Sequence, residues 1–321
     1  MALAQLLGSF VENEIVFLYL IKIPLVVADI ITIFFLFKIL RILAHDEKKA
    51  TKLTMLYAFN PLVIMVTGVW GTMEPIPMMF TILSLYFFLK ASSTAEFLTS
   101  AILLGWGTAF KLYPIFIAPA FMIKMRNLKR ALLYGIFSAL PLATFSLPFL
   151  LWDFESYINV ILIHNVGGTR PLFPVFYPGL EQIIQMFYFL SVFVLFIIAL
   201  FRRVAVVSNI LLSFLALYFS MGGNVANYSL WIVPFTMLLL ADDAETPRSF
   251  WVLPFFPLPS IIYGLIYNGP YDAVEGATGF FYWTYHWLGQ KVVIFRTESF
   301  SQLATYFQIS SYLLLANVAI I

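Results

Sequence analysis

The chain has no cysteine, so disulfides, thiol nucleophiles and thiolate metal sites are all excluded. It has only three histidines, His45, His164 and His286, too few for a His-rich metal cluster, and no metal ligand set is assigned. Charge is scarce as well. Charged residues make up 11% of the 321 positions, and hydrophobic residues 62%. A soluble domain carries about 25% charged residues, so this chain cannot cover a water-facing surface. The net charge of +2 is too small to point to nucleic acid, and no basic run is interleaved with aromatics. The start of the chain lacks the three-part form of a secretory signal. No linker, low-complexity tract or internal repeat divides it, so a single domain over 1–321 is expected.

What is present is apolar and aromatic. Aromatics reach 18%, with 35 Phe, which suits lipid-facing and interfacial positions. Apolar blocks fall near 14–40, 53–69, 75–90, 97–110, 112–123, 131–151, 183–201, 204–221, 225–241, 250–267 and 301–321. Most are long enough to cross about 30 Å of hydrocarbon as helices. The fold class expected is all-α, a polytopic membrane protein with about ten to twelve transmembrane helices. The block at 112–123 is short and contains Pro114 and Pro119. It reads as a broken or re-entrant helix, which a membrane tolerates only where protein or a cavity shields the backbone.

Lysine and arginine set the orientation. One set of turns is basic: Arg41, Lys48, Lys49 and Lys52, then Lys90, then Lys124, Arg126, Lys129 and Arg130, then Arg202 and Arg203. These are expected to face the cytoplasm. The alternate turns collect the unusual polar residues: Lys22 and Asp29; Asn60, Trp70 and Glu74; Lys111 and Tyr113; the 153–182 loop with His164, Gly167, Gly168, Arg170 and Glu181; and Asn227, Tyr228 and Trp231. Singly, each has a plain reading. Lys22 and Lys111 could snorkel to the interface, Trp70 could anchor in an aromatic belt, and Glu74 and Arg170 could be solvated. Charges at a membrane edge are expensive, however, and usually pair or serve a site. Their convergence from five stretches suggests a polar cavity at the non-cytoplasmic face. Lys111, Arg170, His164 and Lys22 would neutralise the phosphate of a lipid-linked ligand there, Arg by its planar fork and Lys as a point charge.

The order Lys-x-Pro-x-x-x-x-Asp (Lys22, Pro24, Asp29), Asn60-Pro61, Trp-Gly-x-x-Glu (Trp70, Gly71, Glu74) and Lys111-Leu112-Tyr113-Pro114 resembles the GT-C glycosyltransferases. So does Asn-Tyr-x-Leu-Trp-x-x-Pro-Phe from Asn227 to Phe235. The groups it looks most like are the mannosyl- and glucosyltransferases that use dolichyl- or polyprenyl-phosphate sugars, including GPI mannosyltransferase I and archaeal relatives. The resemblance covers about residues 20–240. It implies transfer of a hexose, mannose or glucose, from a polyprenyl-phosphate carrier to a glycan, lipid or protein acceptor. The face would be the outer or lumenal one, in the plasma membrane of a prokaryote or the endoplasmic reticulum of a eukaryote. A carboxylate would act as base, with Glu74 as the candidate here. Lys111, Arg170, His164 and Lys22 would hold the lipid phosphate, and Asp29, Trp70, Tyr113, Asn227, Tyr228 and Trp231 would line the cavity. The donor sugar-lipid is the one ligand implied, and a divalent metal is left open because such enzymes include both kinds.

The resemblance also implies a preceding span and an acidic outer loop ahead of Lys22. The only acids there are Glu12 and Glu14. A fragment, a short relative that works with a partner subunit, or an inactive relative would each account for this, with a fragment the favoured expectation. The alternatives to sugar transfer are a non-catalytic membrane subunit and a transporter or flippase of a lipid-linked anion. The aromatic 268–300 segment, with Asp272 and Glu275, reads as a surface-lying amphipathic stretch that could also cover the cavity.

Overall fold

The computed structural model describes residues 14–125, 127–158 and 230–241, together with helical positions 206, 207, 210, 211 and 214. These residues are helical apart from short turns.

Helix α1 runs Glu14–Ala44, and its segment Lys22–Ala44 is 23 residues of apolar chain. At 1.5 Å per residue this is about 34 Å, enough to cross a bilayer. Its outward residues Ile23, Val26, Val27, Ile30 and Phe34 are exposed while Leu25, Ala28, Leu36 and Ile39 are buried. Both faces are apolar, which in water would be an aggregation surface and in lipid is simply the solvent-facing side. The helix stops at His45, whose φ of 51° leaves the helical region. Asp46 then caps helix α2 (Glu47–Ala58), its carboxylate accepting from the Lys48 N–H at 2.9 Å.

The block expected at 53–69 is two pieces. Helix α2 meets Pro61–Gly68 at a 44° bend. Asn60 accepts from the Leu62 N–H at 2.9 Å and Pro61 takes the first helical position, where a missing N–H costs nothing. Helix α3 (Pro61–Ile64) continues as a π-helical stretch, Met65–Trp70, closed by Gly71 at φ +65°. Helix α4 (Pro75–Lys90) and helix α5 (Thr94–Phe110) form an antiparallel hairpin. A capping box starts α5, with Glu96 and Ser93 satisfying each other's backbone N–H groups.

The short block 112–123 is broken, as its prolines suggest: a 3₁₀ turn, Tyr113–Ile117, passes into helix α6, Ala118–Met125. Helix α7 (Leu128–Trp152) is a second full-length apolar helix of 25 residues, with Pro141 and Pro148 inside it. Helix α8 (Phe154–Ile158) follows. Helix α9 (Val233–Ala241) is buried along nearly all its length. Among the described residues, two helices, or three if the bent pair counts as one span, are long and apolar enough to cross a membrane. The expected spans at 183–201, 250–267 and 301–321 lie outside the described residues.

Helix α4 packs on α5, α5 on α7, and α1 on both α4 and α2, while α9 sits against α2 and α1. Small residues allow the close approach. A Cβ added at Gly105 would fall 2.4 Å from the Ser138 carbonyl and 2.6 Å from Pro141, so α5 and α7 touch backbone to backbone there. Hydroxyls join the same three helices. Ser84 and Ser100 exchange hydrogen bonds with each other's carbonyls at 2.8 Å. The Tyr134 hydroxyl lies 3.0 Å from the Ser100 Oγ and 3.2 Å from the Ser84 Oγ. The chain therefore shuttles between two ends. One end holds the basic turns, and the other holds the Gly68–Glu74 turn and Lys111.

Candidate functional site

Glu74 immediately precedes Pro75, the first residue of α4, and Lys111 immediately follows α5. The hairpin brings these two ends together although they are 37 positions apart. The Lys111 ammonium donates to Glu74 Oε1, and the Trp231 indole N–H donates to Glu74 Oε2 at 2.7 Å. Both carboxylate oxygens are thus engaged, and the Glu74 side chain is only 1% exposed while that of Lys111 is 36% exposed. Lys111 Nζ also lies 5.8 Å from the Trp231 ring centre, a cation–π contact. Tyr113 stacks on Trp231 with centroids 4.1 Å apart and planes 19° apart, and Phe214 meets both rings. Burying a carboxylate without compensation is very costly, so the charge is held by a cation, an indole donor and an aromatic wall together.

Lys22 lies beside the same turn. Its ammonium donates to the Gly68 carbonyl at 3.2 Å. Its stem crosses Gly71, where a Cβ would stand 2.9 Å from Lys22 Cε. Asp29, two turns deeper along α1, accepts from the Tyr57 hydroxyl at 3.1 Å across to α2. Two hydroxyl oxygens nearby in sequence or packing, of Thr72 and Tyr113, are buried and make no hydrogen bond to any described residue. They are donors that the site's own side chains leave unused.

The structure brings Glu74, Lys111, Tyr113 and Trp231 into contact, with Lys22 on the adjoining turn and Asp29 at a separate, deeper contact. The Trp70 side chain, His164, Arg170, Asn227 and Tyr228 lie outside the described residues. Among the described residues no group of three or more His, Asp and Glu is placed to hold a metal. The sequence reading did not foresee that Trp231 would bond directly to Glu74, nor that Tyr57 would be the partner of Asp29. The Trp-x-x-Pro pattern marked Trp231 as notable without giving its partner, and nothing local marks Tyr57.

Among the described residues, an all-helical architecture with long, outwardly apolar helices defines a membrane-associated protein. Comparison makes the assignment specific. The family model described as GPI transamidase subunit PIG-U matches residues 2–165, half of the chain, and the chain belongs to that family. No curated protein and no solved structure gives a significant match.

Proposed function

We propose that this chain is a non-catalytic membrane subunit of a GPI transamidase, rather than a sugar transferase. The family description carries the first half of this reading. The second half rests on Glu74. A general base must reach the proton it takes, within about 3 Å of the substrate hydroxyl. Glu74 is buried, with one oxygen on Lys111 and the other on Trp231. A carboxylate so occupied is suited to joining helices. Lys111, neutralised by Glu74, is correspondingly less suited to meeting a leaving phosphate. Lys22, Arg170 and His164 retain the phosphate-holding part suggested by the sequence, since a lipid-linked anion can be held without being cleaved.

Depleting the chain in its own cell separates the two readings. Loss of a transamidase subunit should leave proteins without their GPI anchor while the complete glycolipid precursor accumulates. Loss of a sugar transferase should instead leave precursors short of one sugar. Accumulation of a truncated glycolipid would overturn the proposal.

A further inference from the structure

We infer that a buried water molecule joins Tyr113 to Tyr57 and Glu74, linking two polar contacts that the side chains alone leave apart. The first contact is the hydrogen bond from Tyr57 on α2 to Asp29 on α1, at 3.1 Å. The second is Glu74 with Lys111 and Trp231, at the ends of α4 and α5. Tyr113 stands between them. Its ring stacks on Trp231, whose indole N–H bonds to Glu74. Its hydroxyl is within electrostatic reach of both Glu74 and the Tyr57 hydroxyl.

Tyr113 is 2% exposed, and its hydroxyl makes no hydrogen bond to any described residue. A buried hydroxyl without a partner has given up its bonds to bulk water and gained none in return. A phenylalanine would stack on Trp231 equally well, so packing does not account for the oxygen. A water with about two to four polar partners does. Tyr113 donates to it. Tyr57 spends its own proton on Asp29 and keeps an oxygen lone pair that can accept from the water. Glu74, a carboxylate with about four acceptor positions, takes the second proton alongside the bonds it already accepts. A water suits the place better than an ion. Lys111 already balances the Glu74 charge, so a second cation would be repelled, and an anion would face a carboxylate. The completed chain runs from Asp29 through Tyr57 and the water to Glu74 and Lys111, and it ties α1 and α2 to the ends of α4 and α5. The same reasoning says where no water is needed. The Tyr134 hydroxyl is as deeply buried, but Ser84 and Ser100 lie 3.2 and 3.0 Å from it.

Radiolytic hydroxyl-radical labelling of the purified full-length chain in detergent, read by mass spectrometry, tests the site. The radicals form from water, so a buried ring is modified efficiently only beside a bound water. Tyr113 and Tyr57 should be modified roughly tenfold faster than Tyr134, although all three are buried. Tyr113→Phe keeps the ring, deletes the hydroxyl, and should bring Tyr57 down to the rate of Tyr134. The same variant should lower the thermal unfolding midpoint, because the water and its bonds are lost. An unpartnered hydroxyl would give the opposite sign, since removing it relieves a desolvated group. Tyr113 modified no faster than Tyr134 in the unaltered chain, Tyr57 labelling unchanged by Tyr113→Phe, or a raised midpoint in that variant would each overturn the inference.

Discussion

At the scale of single residues, the account turns on a buried carboxylate with two partners. Removing one partner of a buried ion pair leaves the other charge uncompensated, at a cost of about 3–5 kcal/mol. Lys111→Ala should therefore lower the thermal unfolding midpoint in detergent markedly. The double variant Glu74→Ala/Lys111→Ala should be less destabilised than the sum of the two single changes, because the uncompensated charge is gone. Additive losses would mean that the pair is not coupled. Trp231→Phe keeps the ring stacked on Tyr113 but deletes the indole donor, and should cost about 2 kcal/mol, the range for a hydrogen bond to a charged group. Gly71→Ala is a backbone test. The left-handed φ of +65° penalises any Cβ, by roughly 1–2 kcal/mol, while the nearest atom, Lys22 Cε, is the flexible end of a side chain and can move aside.

At the scale of elements, helix contacts in lipid depend on small residues and a few hydroxyls. Gly105→Leu should separate α5 from α7, because its Cβ meets the Ser138 carbonyl and the Pro141 ring. The loss should appear as a lower unfolding midpoint and as faster amide exchange in both helices. The start of α5 carries a pH signature. Hydrogen bonds from Ser92 and Ser93 hold the Glu96 carboxyl below its ordinary range. A depressed carboxyl stabilises the fold above its unfolded pKa, and that contribution is lost as pH falls through the lowered value. Amide exchange in the first turn of α5 should accordingly be slow at neutral pH and accelerate in acid, and Glu96→Gln should remove most of the difference.

Helix existence was legible in the sequence because uninterrupted apolar runs have few other uses. The block at 75–90 coincides with α4 end for end. Boundaries slipped where polar residues extend a helix into the headgroup layer. Helix α2 begins at Glu47 rather than near 53, because Asp46 caps it and lysines can occupy the interface. The bend at Asn60-Pro61 is written in those two residues, but its 44° angle is a packing outcome.

At the scale of the whole molecule, the described residues bind α9 to the N-terminal helices at both ends. Trp231 reaches Glu74 at one face, and Lys49 reaches the Ala241 carbonyl at the other. The sequence raised the expectation that polar residues gather at one face, because positive charge marks the opposite turns. It did not reveal that Glu74 would be consumed by pairing. A Trp-Gly-x-x-Glu motif looks the same whether its acid is available to a substrate or buried against a lysine, and only the three-dimensional meeting of α4, α5 and Trp231 distinguishes the two. The expected resemblance to sugar transferases is thus retained only as a GT-C-like fold, and the chain belongs to the family described as GPI transamidase subunit PIG-U.

The most direct test is to isolate the tagged full-length chain from its native membranes under mild detergent. The isolate is then assayed in parallel for GPI transamidase activity and for transfer from a labelled polyprenyl-phosphate sugar. A non-catalytic subunit should co-isolate with transamidase activity and show no sugar transfer, with or without Glu74→Gln. Isolation of the chain alone, with sugar transfer that Glu74→Gln abolishes, would contradict the account.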